Sequence, residues 1–385
     1  MIYLDNAAST RMRPEVLEAM LPYLEGDYGN PSSIHRQGRT AERAVDDARE
    51  QAAALIGASP KEIILTSGGT ESNNMAVLGA RGEPGRNGFV TTSIEHDAVL
   101  EPCARLRDRG FETSTVGPGD DGIVRAAEMA KAVGPGTSHA SVMTANNEVG
   151  TIQPISEIAG ICRERGAVFH TDAVQAAGKV PLDVSELGVD MLSFSSHKIN
   201  GPKGAGALYV RKGVELDPLI LGGGQERGMR SGTENVAAIA GFGRACEMAR
   251  ERLTEDAARV RRMRDRLAER ILGEITHVEY NGSKESRLPG NAHFTFYGVS
   301  GEDLLIKLDE YGLAASTGSA CSVRTQKESH VLRAMGFARE RINGSLRLSV
   351  GIFNTDEEID GAVDALTRAV AELRRVSPYR AKYGF

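Results

Sequence analysis

A lysine stands in Ser193-Phe194-Ser195-Ser196-His197-Lys198-Ile199-Asn200-Gly201-Pro202-Lys203-Gly204, directly after a β-rich run and among small hydroxyl residues and glycines. Partial burial at such a place lowers a lysine's pKa and suits Lys198 to act as an amine nucleophile. Lys203, on the far side of the turn, reads as a surface or structural lysine. Thr66-Ser67-Gly68-Gly69-Thr70-Glu71-Ser72-Asn73-Asn74 also follows a strand and opens a helix. Its glycines allow close backbone approach, the helix N-terminus presents free N–H groups to an anion, and Thr70 adds a hydroxyl donor. A well-capped helix would use the same residues. In Phe169-His170-Thr171-Asp172-Ala173-Val174-Gln175 a carboxylate sits at a strand end. There Asp172 can pair with a protonated ring nitrogen or simply cap the turn that follows. Ser93-Ile94-Glu95-His96 offers the flat ring of His96 for stacking, and Ala145-Asn146-Asn147-Glu148-Val149-Gly150 offers the Asn147 amide. Singly, each motif is ordinary capping chemistry. Together, five strand-end motifs point to one crevice.

The elements that must position them alternate. Glu62–Thr66, Gly88–Thr92, Ala140–Thr144, Ala167–Thr171, Met191–Phe194 and Gly206–Val210 read as strands, with helical stretches such as Ile155–Arg165 between them. This pattern predicts an α/β fold, a mainly parallel central sheet with helices on both faces. Ligands in such sheets bind beyond the carboxyl ends of the strands. Apolar positions recurring at three and four predict a helix over Thr40–Ile56, closed by Gly57. A long charged helix is predicted over 243–272. Strand-like runs follow at His277–Tyr280, Ala292–Phe296 and Ser345–Val350. A last helix starts at Thr355 with Glu358 as its capping-box partner and buries Ile359, Val363, Leu366 and Val370. The expected division is a large ligand-binding α/β domain over 15–255 and a smaller α+β domain made of 1–14 with 256–385.

Composition excludes several classes. The formal net charge of −6 argues against a broad grip on nucleic-acid phosphates. No run approaches the roughly 20 apolar residues of a membrane span, and Met1-Ile2-Tyr3-Leu4-Asp5 lacks the regions of a signal peptide. A cytoplasmic protein is expected. Cys103, Cys162, Cys246 and Cys321 are scattered, with no CxxC pair, so neither a disulfide framework nor a closed zinc site is expected. The first three lie in helical patterns as small core residues.

With these motifs assembled, the chain resembles the fold type I pyridoxal-phosphate enzymes of the class V aminotransferase group, and within it the cysteine desulfurases. Further motifs carry the likeness: Tyr3-Leu4-Asp5-Asn6-Ala7-Ala8-Ser9-Thr10, Gly29-Asn30-Pro31-Ser32-Ser33, Gly222-Gly223-Gly224-Gln225-Glu226-Arg227 and Arg230-Ser231-Gly232-Thr233-Glu234-Asn235. The resemblance implies that Lys198 carries pyridoxal 5′-phosphate and that Asp172 holds its pyridine nitrogen. It implies that His96 stacks on the ring, and that Gln175 and Asn147 bond the phenolic oxygen or the substrate. Gly69, Thr70, Ser195, Ser196 and His197 would bind the phosphate, with Thr233 reaching it from the other subunit of a homodimer. Arg347 would clamp the substrate carboxylate with its planar fork.

Cys321 lies in Ser316-Thr317-Gly318-Ser319-Ala320-Cys321-Ser322-Val323-Arg324-Thr325-Gln326-Lys327, a small, polar run without hydrophobic periodicity. A free thiol titrates near roughly 8.5 and must be a thiolate to attack sulfur. From the residue alone an incidental exposed thiol is the simpler reading. The resemblance reverses this: Cys321 would take the sulfur of L-cysteine as a persulfide, with Lys198 moving the substrate α-proton. The length from Cys321 to His330 is that of desulfurases serving iron–sulfur assembly. This implies a scaffold protein as acceptor and Cys321 as a transient ligand of a nascent cluster; the sequence leaves open whether tRNA thiolation is a second sink. Departures from the pattern are Gly351-Ile352-Phe353 in place of an arginine after the glycine, Glu328 in place of a proline, and Arg324. Selenocysteine lyase, desulfinase and a sulfur carrier without turnover are the alternatives.

Overall fold

The structure, a computed structural model, describes residues 1–82, 85–317 and 328–385. Its centre is a sheet of seven strands: β1 (Ile63–Thr66), β2 (Gly88–Thr92), β3 (Glu112–Val116), β4 (Thr137–Ser141), β5 (Val168–Asp172), β6 (Met191–Ser195) and β7 (Gly206–Val210). They lie in the order β1-β7-β6-β5-β4-β2-β3. All pairings among β2 to β6 are parallel. Strand β7 runs antiparallel to both β6 and β1. Two reversals restore the direction, so β1 points the same way as β6. The carboxyl ends of β1, β2, β4, β5 and β6 therefore share one edge, and each delivers a polar motif there.

Successive side chains on a strand face opposite ways. Here both faces find apolar cover: Ile63 and Leu65 of β1 enter the main core, whereas Ile64 joins a separate cluster with Met75, Met191 and Leu208. Likewise Val90 faces the main core while Phe89 packs with Val99 and Leu106. A sheet buried on both faces is the expected α/β arrangement.

A second core gathers Leu4, Met263, Leu267, Phe294, Phe296, Leu346, Leu348 and the closing helix. It is built around an antiparallel sheet of β8 (Val278–Tyr280), β9 (Asn291–Phe296) and β10 (Ser345–Ser349), with β9 in the middle. The closing helix Asp356–Arg375 begins as predicted, with Thr355 and Glu358 forming the capping box and Ile359, Val363, Leu366 and Val370 buried. The helix Val236–Glu274 runs 39 residues and serves both cores.

Several elements differ from their sequence-based outlines. That long helix starts earlier than 243 because its first turns are small residues pressed on the helix Arg36–Leu55; a Cβ at Gly243 would lie 2.6 Å from Ala48 Cα. The helix Arg36–Leu55 itself starts four residues before Thr40, where the His35 ring accepts from the Gly38 N–H. Strand β4 begins at Thr137 and ends at Ser141, not over Ala140–Thr144. Its polar start, Thr137-Ser138-His139, is buried nonetheless. Strand β3 was not anticipated, because it is an edge strand whose Glu112-Thr113-Ser114-Thr115 is largely solvent-facing and lacks an apolar signature.

Among the described residues no helix is long and apolar enough to cross a membrane. Cys103, Cys162 and Cys246 are free and buried, as expected.

Candidate active site

A crevice of about 1300 Å³ opens at the shared edge of the sheet. Residues from five strand ends line it: Gly69 and Thr70 after β1, His96 after β2, Asn147 after β4, Asp172 and Gln175 from β5, and Ser195, His197 and Lys198 from β6. Arg347, on β10 of the second sheet, faces the same space.

The helix Gly69–Leu78 is brought close to β6 by the absence of side chains. A Cβ on Gly69 would meet Val174 Cγ2 at 2.5 Å, and a Cβ on Gly206 would meet Gly68 Cα at 2.7 Å. Gly68 takes φ +149°, which favours glycine, and puts the first turn beside the Ser195 hydroxyl. Glu71 accepts from the Ser67 N–H at 2.9 Å and pairs with Arg230 at 2.7 Å. Free N–H groups, Thr70 and Ser195 thus form one anion-binding corner. His197 belongs to the same turn; burial and then the charges of Lys198, Lys203 and Lys179 push its ring down to about 4. Both causes favour the neutral ring.

Asp172 is buried at the end of β5. One carboxylate oxygen accepts from the Val174 N–H at 2.9 Å, the other from Asn73 Nδ2 at 2.6 Å. Burial pushes its carboxyl up, and the Val174 bond, the charges of His96 and Lys198 and the Asn73 bond act against that. A buried carboxylate with both oxygens held is a rigid partner for a cationic ring nitrogen. His96 caps the helix Asp97–Arg107, its Nδ1 accepting from Ala98 N at 3.0 Å, which fixes the ring at the crevice mouth.

Lys198 Nζ reaches back to the N-terminal segment and donates to Ala7 O at 2.6 Å and Ala8 O at 2.7 Å. Gln175 Nε2 donates to the same Ala7 carbonyl at 2.9 Å. Arg347 is 2% exposed. One of its nitrogens meets Asp5 at 2.8 Å and another donates to Asn147 O at 2.7 Å. The guanidinium is thus aimed by two elements distant in sequence.

Two of the predicted phosphate residues do not line this crevice. Ser196 is fully buried behind it, with its hydroxyl against Gly201 and without a hydrogen-bond partner among the described residues. Thr233 is exposed and outside the crevice, on the segment that Arg230 ties to Glu71. Cys321, with its metal role, falls outside the described residues; among these, no cluster of His, Cys, Asp or Glu could hold a metal.

Several residues had no role in the sequence reading. Asn73 stands in the same motif as Gly69 and Thr70, and only the fold brings it to Asp172. Glu95, next to His96, is fully buried; its carboxylate accepts from Thr92 at 2.6 Å and Met143 N at 2.9 Å, and burial pushes it up to about 8. Glu148, next to Asn147, accepts from the Ser329 hydroxyl at 2.5 Å, and His330 Nε2 lies 2.9 Å from Glu95 O. Each adjoins a motif residue, which was the available signal.

A family model of the class V aminotransferases matches residues 2–361. The chain belongs to the aminotransferase class-V family, in its cysteine desulfurase branch. It is 46% identical over 99% of its length to the cysteine desulfurase IscS of Dictyoglomus turgidum, and covers 98% of that protein. To the IscS of Methanosarcina thermophila it is 47% identical, covering 99% of this chain and 95% of that one. Among solved structures, a NifS-like protein superposes with a TM-score of 0.91 at 39% identity, over 96% of this chain and 99% of that one. SspA in complex with cysteine gives 0.81 at 36%, over 92% and 100%. Class-V enzymes of this branch depend on pyridoxal 5′-phosphate. The donor set fits that group: an amine, a buried carboxylate, a flat ring and a side-chain-free anion corner share one crevice.

Proposed function

We propose that this protein is a cysteine desulfurase that converts L-cysteine to L-alanine and passes the sulfur through a persulfide on Cys321. The observation that carries the proposal is the convergence of Lys198, Asp172, His96 and Arg347 on one crevice, in a chain 46% identical to a cysteine desulfurase over nearly its whole length.

When bound, pyridoxal phosphate supplies an electron sink for the substrate's Cα. Lys198, Asp172, Gln175 and His96 would hold it, with its phosphate at Gly69, Thr70, Ser195 and His197. Ser196 would then act from behind the crevice wall, and Thr233 from the partner subunit. Arg347 and Asn147 would bind the substrate, Arg347 meeting the carboxylate with a fork already oriented by Asp5 and the Asn147 carbonyl. Lys198 would take the proton from Cα. The Cys321 thiolate would then attack the substrate sulfur: the Cβ–S bond breaks, an S–S bond forms, and the electron pair stays on the carbon fragment. That fragment takes up protons and leaves as alanine.

The crevice would lie between a large domain, 15–255, and a small one, 1–14 with 256–385. We further propose a cytoplasmic homodimer that delivers sulfur to an iron–sulfur scaffold, with Cys321 a transient cluster ligand there, and to tRNA thiolation. The test is the purified protein itself. It should show the visible band of bound pyridoxal phosphate, release alanine from L-cysteine under reductant, and run at dimer mass in light scattering. Lys198→Ala should lose turnover at least roughly 100-fold. Absence of the band, or alanine release unaffected by Lys198→Ala, would contradict the proposal.

A further inference from the structure

Gln175 stands between two spaces. It lines the crevice together with Lys198. With Ala7 and Lys198 it also lines a smaller cavity of about 80 Å³, shared by Lys179, which does not reach the crevice. The amide is held at both ends: Nε2 donates to Ala7 O at 2.9 Å, and Oε1 accepts from Lys179 Nζ at 3.2 Å. A backbone carbonyl only accepts, so the Ala7 contact selects the amide orientation, and a protonated Lys179, which only donates, agrees with it. That orientation puts the Oε1 end of Gln175 at Lys179, outside the crevice lining, and the Nε2 end at Ala7, which lines it.

The Lys179 amine has no other hydrogen-bond partner among the described residues. Across the cavity Arg13 and Asp256 satisfy each other at 2.7 Å and do not compete for it. Burial, then the charges of Lys198 and Arg347, push the Lys179 amine down to about 7. A lysine stem of that length would ordinarily carry its amine out to bulk water. Here it is turned inward onto one amide oxygen.

We infer that Lys179 is a positioning residue for the reaction: it fixes and polarises the Gln175 amide, so that an N–H is presented to the phenolic oxygen of the cofactor. The inference rests on the pyridoxal-phosphate reading above. A hydrogen bond accepted at Oε1, charge-assisted while the Lys179 amine is protonated, strengthens donation at Nε2. Donation to the phenolic oxygen stabilises its anion, and so lowers the proton affinity of the bound cofactor.

The test is a pH titration of the cofactor's visible absorbance in loaded wild type, Lys179→Met, Gln175→Ala and the double variant. Lys179→Met is expected to bind cofactor and to move the midpoint upward by roughly half a unit or more. In the Gln175→Ala background the same substitution should add little, because two residues acting through one contact are not additive. An unmoved midpoint, or an equal shift in both backgrounds, overturns the inference. Where Lys179→Met does not fold, Lys179→Gln, a donor without charge, takes its place with the same two outcomes and a smaller shift. A wild type without any cofactor band refutes the underlying function instead.

Discussion

Asn73 and Asp172, 99 positions apart, meet at 2.6 Å inside the sheet edge, the Asn73 amide donating to the Asp172 carboxylate. The contact joins the anion corner after β1 to the carboxylate at the end of β5. It leaves Asp172 with both oxygens engaged before any ligand arrives.

Asn73→Ala would leave that buried oxygen short of a donor. A loss of about 1–3 kcal/mol is expected from an unsatisfied buried acceptor. The melting temperature should fall, and cofactor retained through gel filtration should drop. Wild-type values for both would show that the contact is dispensable.

Arg347 presents a planar fork that Asp5 and the Asn147 carbonyl have already oriented. Arg347→Lys keeps the charge and removes the bidentate geometry. The expected result is a rise in KM for L-cysteine of at least roughly tenfold, with a smaller change in kcat. Steady-state alanine release measures both. A KM equal to that of wild type would place carboxylate recognition elsewhere.

Much of this site was legible in the sequence because strand-end motifs are local. The glycine pair, Asp172 and Lys198 each follow a run whose β character is written in neighbouring residues. The registers that bring those runs together are not local. Lys198 reaching Ala7, Arg347 reaching Asp5 and Asn73 reaching Asp172 all depend on pairings between distant segments. Buried polar strands misled for another reason. Thr137-Ser138-His139 reads as loop composition, yet it is the start of β4 and is inside. Edge strand β3, conversely, is too exposed to show an apolar alternation.

Glu95 gives the fold a pH dependence with a definite sign. Burial raises its carboxyl to about 8, whereas an unfolded chain releases that proton near 4.5. Between those values the native state binds the extra proton, so its contribution to stability is full below the lower value and is lost as pH rises through the higher one. The slope is at most about 1.4 kcal/mol per pH unit. Glu95→Gln mimics the protonated acid and removes this dependence. From pH 6 to 8 the wild type should therefore lose more melting temperature than Glu95→Gln. Parallel curves would mean that Glu95 is ionised throughout.

The most direct measurement of the central claim compares wild type with Cys321→Ala on L-cysteine under reductant. Alanine and sulfide are quantified while the cofactor's absorbance is followed. The account predicts equimolar alanine and sulfide from wild type, and loss of both in Cys321→Ala with the cofactor band retained. A cofactor-loaded wild type that leaves cysteine intact, or a Cys321→Ala variant as active as wild type, would contradict it.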